Sequence, residues 1–201
     1  MKRDPQLINL NLENILKESK LFKPPTEDSY INTYPEFIKF FRNKNEITKH
    51  DLVISSHFVY GWMPTIIDLN LDNLDEVLNY LNLAKAENLL NEDQLEILKN
   101  AINNSLVGLS KLLHFINPDI YAIWDSRIYR YTTGRKSSYG IGEPKLYLNY
   151  LTKINAIKSN PVFENIHLKI SNHFNYPITA TRAIEILMFE ADKRDHKKII
   201  G

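Results

Sequence analysis

Cysteine is absent from all 201 residues, which removes disulfides and thiolate metal sites at once. The six histidines are scattered, without the close pairing that zinc sites favour, and no His-Glu-x-x-His run occurs. No metal and no cofactor is expected. No apolar stretch approaches the roughly 18 residues that a membrane span needs. The opening Met1-Lys2-Arg3-Asp4-Pro5 does not lead into the apolar core of a signal peptide. A cytoplasmic location is the expectation, with neither a membrane nor an obligate protein partner. Runs that alternate apolar and polar residues are nearly missing, so little is available for a β-sheet. No repeat of 20–50 residues is visible.

What is present suits a helical globule. Hydrophobic residues make up 43% of the chain, enough for a chain this long to bury a core. Apolar residues recur at helical spacing with polar caps before them. Ile8, Leu12, Ile15 and Leu16 mark a first helix, broken at Pro24-Pro25. Pro35 fits the first position of a helix through Phe37, Phe40 and Phe41. Further helices are expected from Thr48 to Tyr60, from Asp72 or Asn73 through Leu81, from Ala84 to Leu90, and from an Asn91 cap through Ile102. After these come a helix from near Ser110 that stops before Asn117-Pro118, one from Ser126, and others over 145–157, 162–174 and 179–193, with a frayed charged tail. The expected fold class is all-α: one domain over 1–201, a compact two-lobed bundle (about 35–104 and 105–201) with an N-terminal arm, 1–34.

Net charge is only +1, but it is unevenly spread. Residues 1–104 hold 11 Lys/Arg against 16 Asp/Glu, a net −5, and residues 105–201 hold 14 against 8, a net +6. An acidic half joined to a basic half points mildly to an anionic ligand at one end, or to no more than solvated faces.

The segment SLVGLSKLLHFINPDIYAIWDSRIYRYTTGRK, Ser105 to Lys136, concentrates the candidate chemistry. A helix–hairpin–helix turning at Gly108 would present backbone N–H groups, with Ser110, to a phosphate. Lys111, in the first turn after that hairpin, would feel the positive helix end and keep more free amine, the form that attacks a sugar C1′. Asp125 could stabilise an oxocarbenium-like sugar while also capping the Ser126 helix. Arg127, Arg130, Arg135 and Lys136 interleave with Tyr129, Tyr131 and Tyr139, as a strand-binding surface would. The plainer readings are a helix–helix turn, an exposed lysine, an N-cap and a basic helix with its tyrosines turned inward. Arg182 and Glu185 read as a solvated i,i+3 pair.

This layout resembles the helix-hairpin-helix DNA glycosylase superfamily, on Val107-Gly108-Leu109-Ser110-Lys111 and Ala122-Ile123-Trp124-Asp125-Ser126-Arg127. The hairpin has one Gly, the Lys-to-Asp spacing is 14 residues, and Arg127 stands where His is often found, as in a divergent branch. The resemblance implies a DNA N-glycosylase acting on a damaged or modified base flipped from duplex DNA. Asp125 and Lys111 would be catalytic, and Lys111 would add AP-lyase activity. It also implies a base pocket, for which Trp62, Trp124, Tyr60, Phe115 and His114 are the candidates. The rival reading is a non-catalytic helical nucleic-acid-binding protein.

Overall fold

Polar caps set in front of apolar stripes fix most of the helix boundaries. A computed structural model describes residues 5–24, 29–63 and 65–200. Ten helices form among them: α1 (Leu12–Leu21), α2 (Ser29–Arg42), α3 (Lys49–Gly61), α4 (Leu74–Lys85), α5 (Glu92–Ala101), α6 (Leu106–Ile116), α7 (Ser126–Thr133), α8 (Pro144–Lys158), α9 (Pro161–Ser171) and α10 (Ala180–Ile200). The Asn11 side chain caps α1, Thr48 and Asp51 close a capping box on α3, and Asn91 and Gln94 do the same for α5. The fold is all-α. Among the described residues the only β-type pairing is one isolated bridge, Leu69 to Ile102.

Several boundaries differ from those expected. Pro35 lies inside α2 rather than at its start, so the helix forgoes the bond that the Ile31 carbonyl would accept. No helix covers 86–90; α4 stops at Lys85, and Glu87 takes a left-handed φ of 66°. The turn before α6 is made by Asn103 and Asn104, both left-handed (φ 57° and 47°), a conformation asparagine tolerates better than most residues. Gly108 is therefore not the turn but the third residue of α6, and the Ser105 hydroxyl accepts its N–H at 3.2 Å. Its lack of a side chain serves packing instead, because a Cβ there would sit 2.3 Å from the Tyr60 hydroxyl. α10 continues to Ile200, beyond the expected end. The break expected at Pro24-Pro25 falls partly outside the described residues.

Two helices organise the packing. α6 lies against α2, α3, α4 and α5, while α10 lies against α7, α8, α9 and α1. The N-terminal helix is thus no free arm: α1 packs on α9 and α10, and Arg194 bonds Glu18 at 2.7 Å across that contact. One core runs through both groups, from Leu7 to Met188. Leu106, Leu109, Leu112, Leu113 and Phe115 of α6 are all buried in it. Each such side chain contributes about 1.5–3 kcal/mol by leaving water.

Candidate active site

Pro118 ends α6, and after a turn at 118–120 the chain runs along α10 through 121–125, without regular secondary structure, before α7 begins. That segment is pinned on several sides. The Thr179 and Thr181 hydroxyls donate to the carbonyls of Pro118 and Asp119, each at 3.0 Å. Tyr147 and Tyr150, buried on α8, donate to the carbonyls of Ala122 (2.9 Å) and Ile123 (3.0 Å). The Ser110 hydroxyl accepts the Trp124 N–H at 3.0 Å, and the Trp124 indole donates to the Ile141 carbonyl at 2.9 Å. Asp125 comes directly after this clamp. Its Oδ1 accepts the N–H groups of Arg127 and Ile128, both at 2.9 Å, which fixes the carboxylate at the head of α7. Among the described residues no hydrogen bond holds Oδ2.

Asp125 and Lys111 line the same cleft, of about 710 Å³, between the end of α3, the start of α7 and one face of α10. Its other walls include Trp62, Phe174, Phe189 and Arg182. The Lys111 Nζ stands 5.7 Å from the centre of the Trp62 ring. Behind that ring, Phe115 packs edge-on at 5.2 Å. Burial pushes the Lys111 ammonium below its ordinary range, and the positive Arg182 pushes the same way against the opposing pull of Asp125. The net direction is down, so more of the amine is neutral than in a solvated lysine. Lys111 lies in the second turn of α6, not the first, so desolvation rather than the helix end is the cause.

Beneath the cleft floor lies a buried polar network. Glu185, 2% exposed at its side chain, accepts the Ile123 N–H and faces His114 Nδ1 at 3.1 Å and Arg182 Nη1 at 2.9 Å. His114 Nδ1 also meets the Tyr121 carbonyl at 2.8 Å, so two acceptors assign its proton there. Nε2 and the Tyr34 hydroxyl share a hydrogen bond at 2.9 Å. Burial raises the Glu185 carboxyl, but His114 and Arg182 outweigh it and hold the group below its ordinary value. Arg182 completes the circuit by stacking on the Tyr34 ring at 4.6 Å. Arg182 and Glu185 are therefore not a solvated pair. The signal available in sequence was their place beside the apolar face of α10, with Ala183, Ile184 and Leu187 around them.

The remaining expected site residues divide sharply. Of the five base-pocket candidates only Trp62 lines the cleft; Trp124, Tyr60, Phe115 and His114 are core, each 1% exposed or less. Ser110 and Gly108 are buried as well, the one spent on the Trp124 backbone and the other covered by Tyr60, so neither presents itself to a phosphate. Arg130 makes a two-pronged contact with Asp192 of α10 (3.1 and 2.7 Å), and Arg127 reaches the same carboxylate at 3.4 Å while covering Phe189. These arginines lock α7 to α10, and Arg127 also lines the cleft. Tyr129 is wholly buried, Tyr131 half-buried and Tyr139 exposed. Lys136 is exposed and Arg135 half-buried, both away from the cleft lining. Tyr30, Met63, Phe174 and Phe189 line the cleft unannounced, because no local spacing in the sequence brings α2, α3 and α10 together.

No group of three or more His, Asp or Glu side chains among the described residues is placed to hold a metal ion. No described helix is long and apolar enough to cross a membrane. Compared with known proteins, the chain matches no family model, no curated protein and no solved structure.

Proposed function

We propose that this chain is a DNA N-glycosylase with lyase activity, working on a damaged or modified base. One observation carries the reading: Lys111 and Asp125, 14 residues apart in sequence, share one cleft in which burial lowers the pKa of the amine. A neutral amine beside a carboxylate is what attack on a sugar C1′ requires. The Lys111 nitrogen forms a bond to C1′ as the bond from C1′ to the base breaks. The bonding pair leaves with the base, which takes up a proton. The sugar ring then opens to a protonated imine, and loss of the 3′ phosphate by β-elimination follows; hydrolysis returns the amine. Asp125, with Oδ1 engaged by α7 and Oδ2 uncommitted, supplies negative charge where the sugar becomes positive. The cleft volume falls within the roughly 300–1,000 Å³ typical of small-molecule sites, sufficient for an extruded nucleoside.

Borohydride reduction traps the imine as a covalent protein–DNA adduct. The expected result is an adduct on abasic duplex DNA that Lys111→Met abolishes, together with release of at least one base from a panel of modified duplexes. A wild-type protein that gives neither adduct nor free base overturns the proposal. Salt-sensitive DNA binding without either product would assign the chain to the non-catalytic class instead.

A further inference from the structure

Resting on that reading, we infer that Arg182 recognises the base itself, and that the cleft selects a purine presenting two adjacent acceptors, the C6 carbonyl oxygen and an unsubstituted N7. The guanidinium is fixed before any ligand arrives. It stacks on Tyr34 at 4.6 Å, and its Nη1 donates to a Glu185 that is itself held by His114 and the Ile123 N–H. Among the described residues, Nε and Nη2 have no acceptor. Trp62, on the cleft wall, has an indole nitrogen that is buried and without a partner among the described residues. Guanidinium donors that no protein group uses favour an acceptor-rich ligand, because a ligand that displaces the water there must replace its hydrogen bonds.

The nearby carboxylates narrow the choice. Both Glu185 oxygens are engaged, Oε1 with Ile123 and His114 and Oε2 with Arg182, so Glu185 is an anchor and not a reader. The planar fork of a guanidinium matches two acceptors side by side, and O6 with N7 of a 6-oxopurine is such a pair. A 6-aminopurine puts a donor where O6 would be, and in uracil and thymine a ring N–H separates the two carbonyls. A backbone phosphate would also satisfy the fork. Against it stands the setting of Arg182, whose side chain is only 16% exposed in a cleft also walled by Trp62, Phe174 and Phe189. Flat apolar walls suit a ring better than a hydrated phosphate.

The test measures single-turnover base release from duplexes carrying one deoxyinosine, one 1,N6-ethenodeoxyadenosine or one deoxyuridine. Wild type should release hypoxanthine fastest. Arg182→Lys keeps the charge but loses the fork, and should cut the ratio of hypoxanthine to uracil release about tenfold or more. Equal losses on every substrate, with the ratio unchanged, would mean that Arg182 holds a phosphate, and this inference falls. Release of uracil or ethenoadenine but not hypoxanthine also overturns it while leaving the glycosylase reading intact. No release and no borohydride adduct on any duplex removes that reading itself. Should Arg182→Lys fail to fold, wild-type binding decides between 2′-fluoro-2′-deoxyinosine and its 7-deaza analogue in uncleavable duplexes. Weaker binding of the 7-deaza duplex, by about fivefold or more, supports the fork, and equal affinity refutes it.

Discussion

Two groups of cations lie near the head of α7, and they differ in what surrounds them, although Arg127 of the first group also lines the cleft. Arg127 and Arg130 sit close together in sequence amid tyrosines, yet both are answered by one carboxylate, Asp192, on α10. Lys111 and Arg182 are 71 positions apart and unremarkable on paper, yet they share one cleft wall. Density of charge along the chain located a structural clamp. The cations proposed to do chemistry are those whose environment is dry and whose donors are incompletely used, a distinction that is made by packing and not by composition.

The largest effect expected from breaking this contrast is at Lys111. Lys111→Met should abolish the trapped adduct, and Asp125→Asn, which retains a capping oxygen, should slow base release by about 10²–10³-fold. Single-turnover kinetics checks both. The rate of adduct formation should rise with pH and level off above a midpoint lower than the 10.5 of a free lysine, because only the neutral amine attacks. Stability should rise with pH as well. Below its folded pKa, Lys111 is charged in both states, and folding bears the full burden of desolvating it. Between the folded pKa and 10.5 the unfolded chain binds more protons, so stability rises with pH through that window. Lys111→Met should accordingly melt higher than wild type at pH 7, and the gap should narrow as the pH climbs toward 10.5. A variant that melts lower at pH 7 would mean that the ammonium is well solvated or well paired.

Next in size is the anchor under the cleft. Glu185→Ala leaves Arg182 and His114 without their carboxylate and frees the Ile123 N–H, at a cost of about 3–5 kcal/mol, read from denaturant unfolding. The linkage has a definite sign. Since the folded-state pKa lies below the ordinary value, the contribution of Glu185 is full above an unfolded-state pKa of 4.5 and fades as the pH falls through the folded one. The wild-type protein should therefore lose stability below about pH 4.5 more steeply than the Glu185→Gln variant.

Much of this architecture was legible in the chain, and the limits are instructive. Asn91, Thr48 and Asp125 announced helix starts because a cap is a local device, decided by three or four neighbouring residues. The cleft partners Phe174 and Phe189 were not legible, since their meeting depends on how α10 crosses the segment after α9. Trp124 misled for a related reason. An aromatic next to a candidate acid suggests a pocket wall, but Trp124 is wholly buried while Ile123 and Asp125 on either side of it line the cleft. Gly108 misled because glycine serves two purposes, turning and close approach. The Tyr60 hydroxyl shows that here it is the second. Gly108→Ala should cost about 1–3 kcal/mol through overpacking, since Tyr60 is buried and bonded to the Ile102 carbonyl at 3.4 Å. If Gly108 instead shaped a phosphate-binding hairpin, the same substitution would weaken DNA binding with little change in melting temperature.

The smallest effect sharpens the contrast most. Arg130 is the residue that a reading from charge density would choose as a phosphate contact, and removing such a contact flattens the salt dependence of DNA affinity by about one unit of slope. Arg130 instead meets both oxygens of Asp192, with one quarter of its side chain exposed (24%) against 6% for the carboxylate. Arg130→Ala should therefore cost about 1 kcal/mol of stability, discounted for solvent screening, and leave the salt slope of duplex binding where it was. Asp192→Asn supplies the complementary arm. Neutralising the carboxylate releases both arginines from their partner, and if they can reach a backbone at all, duplex affinity at low salt should increase. No change in either variant would place the DNA-facing surface elsewhere on the molecule. A loss in Arg130→Ala that follows the phosphate slope would return this arginine to the binding surface and erase the contrast between the two cation groups.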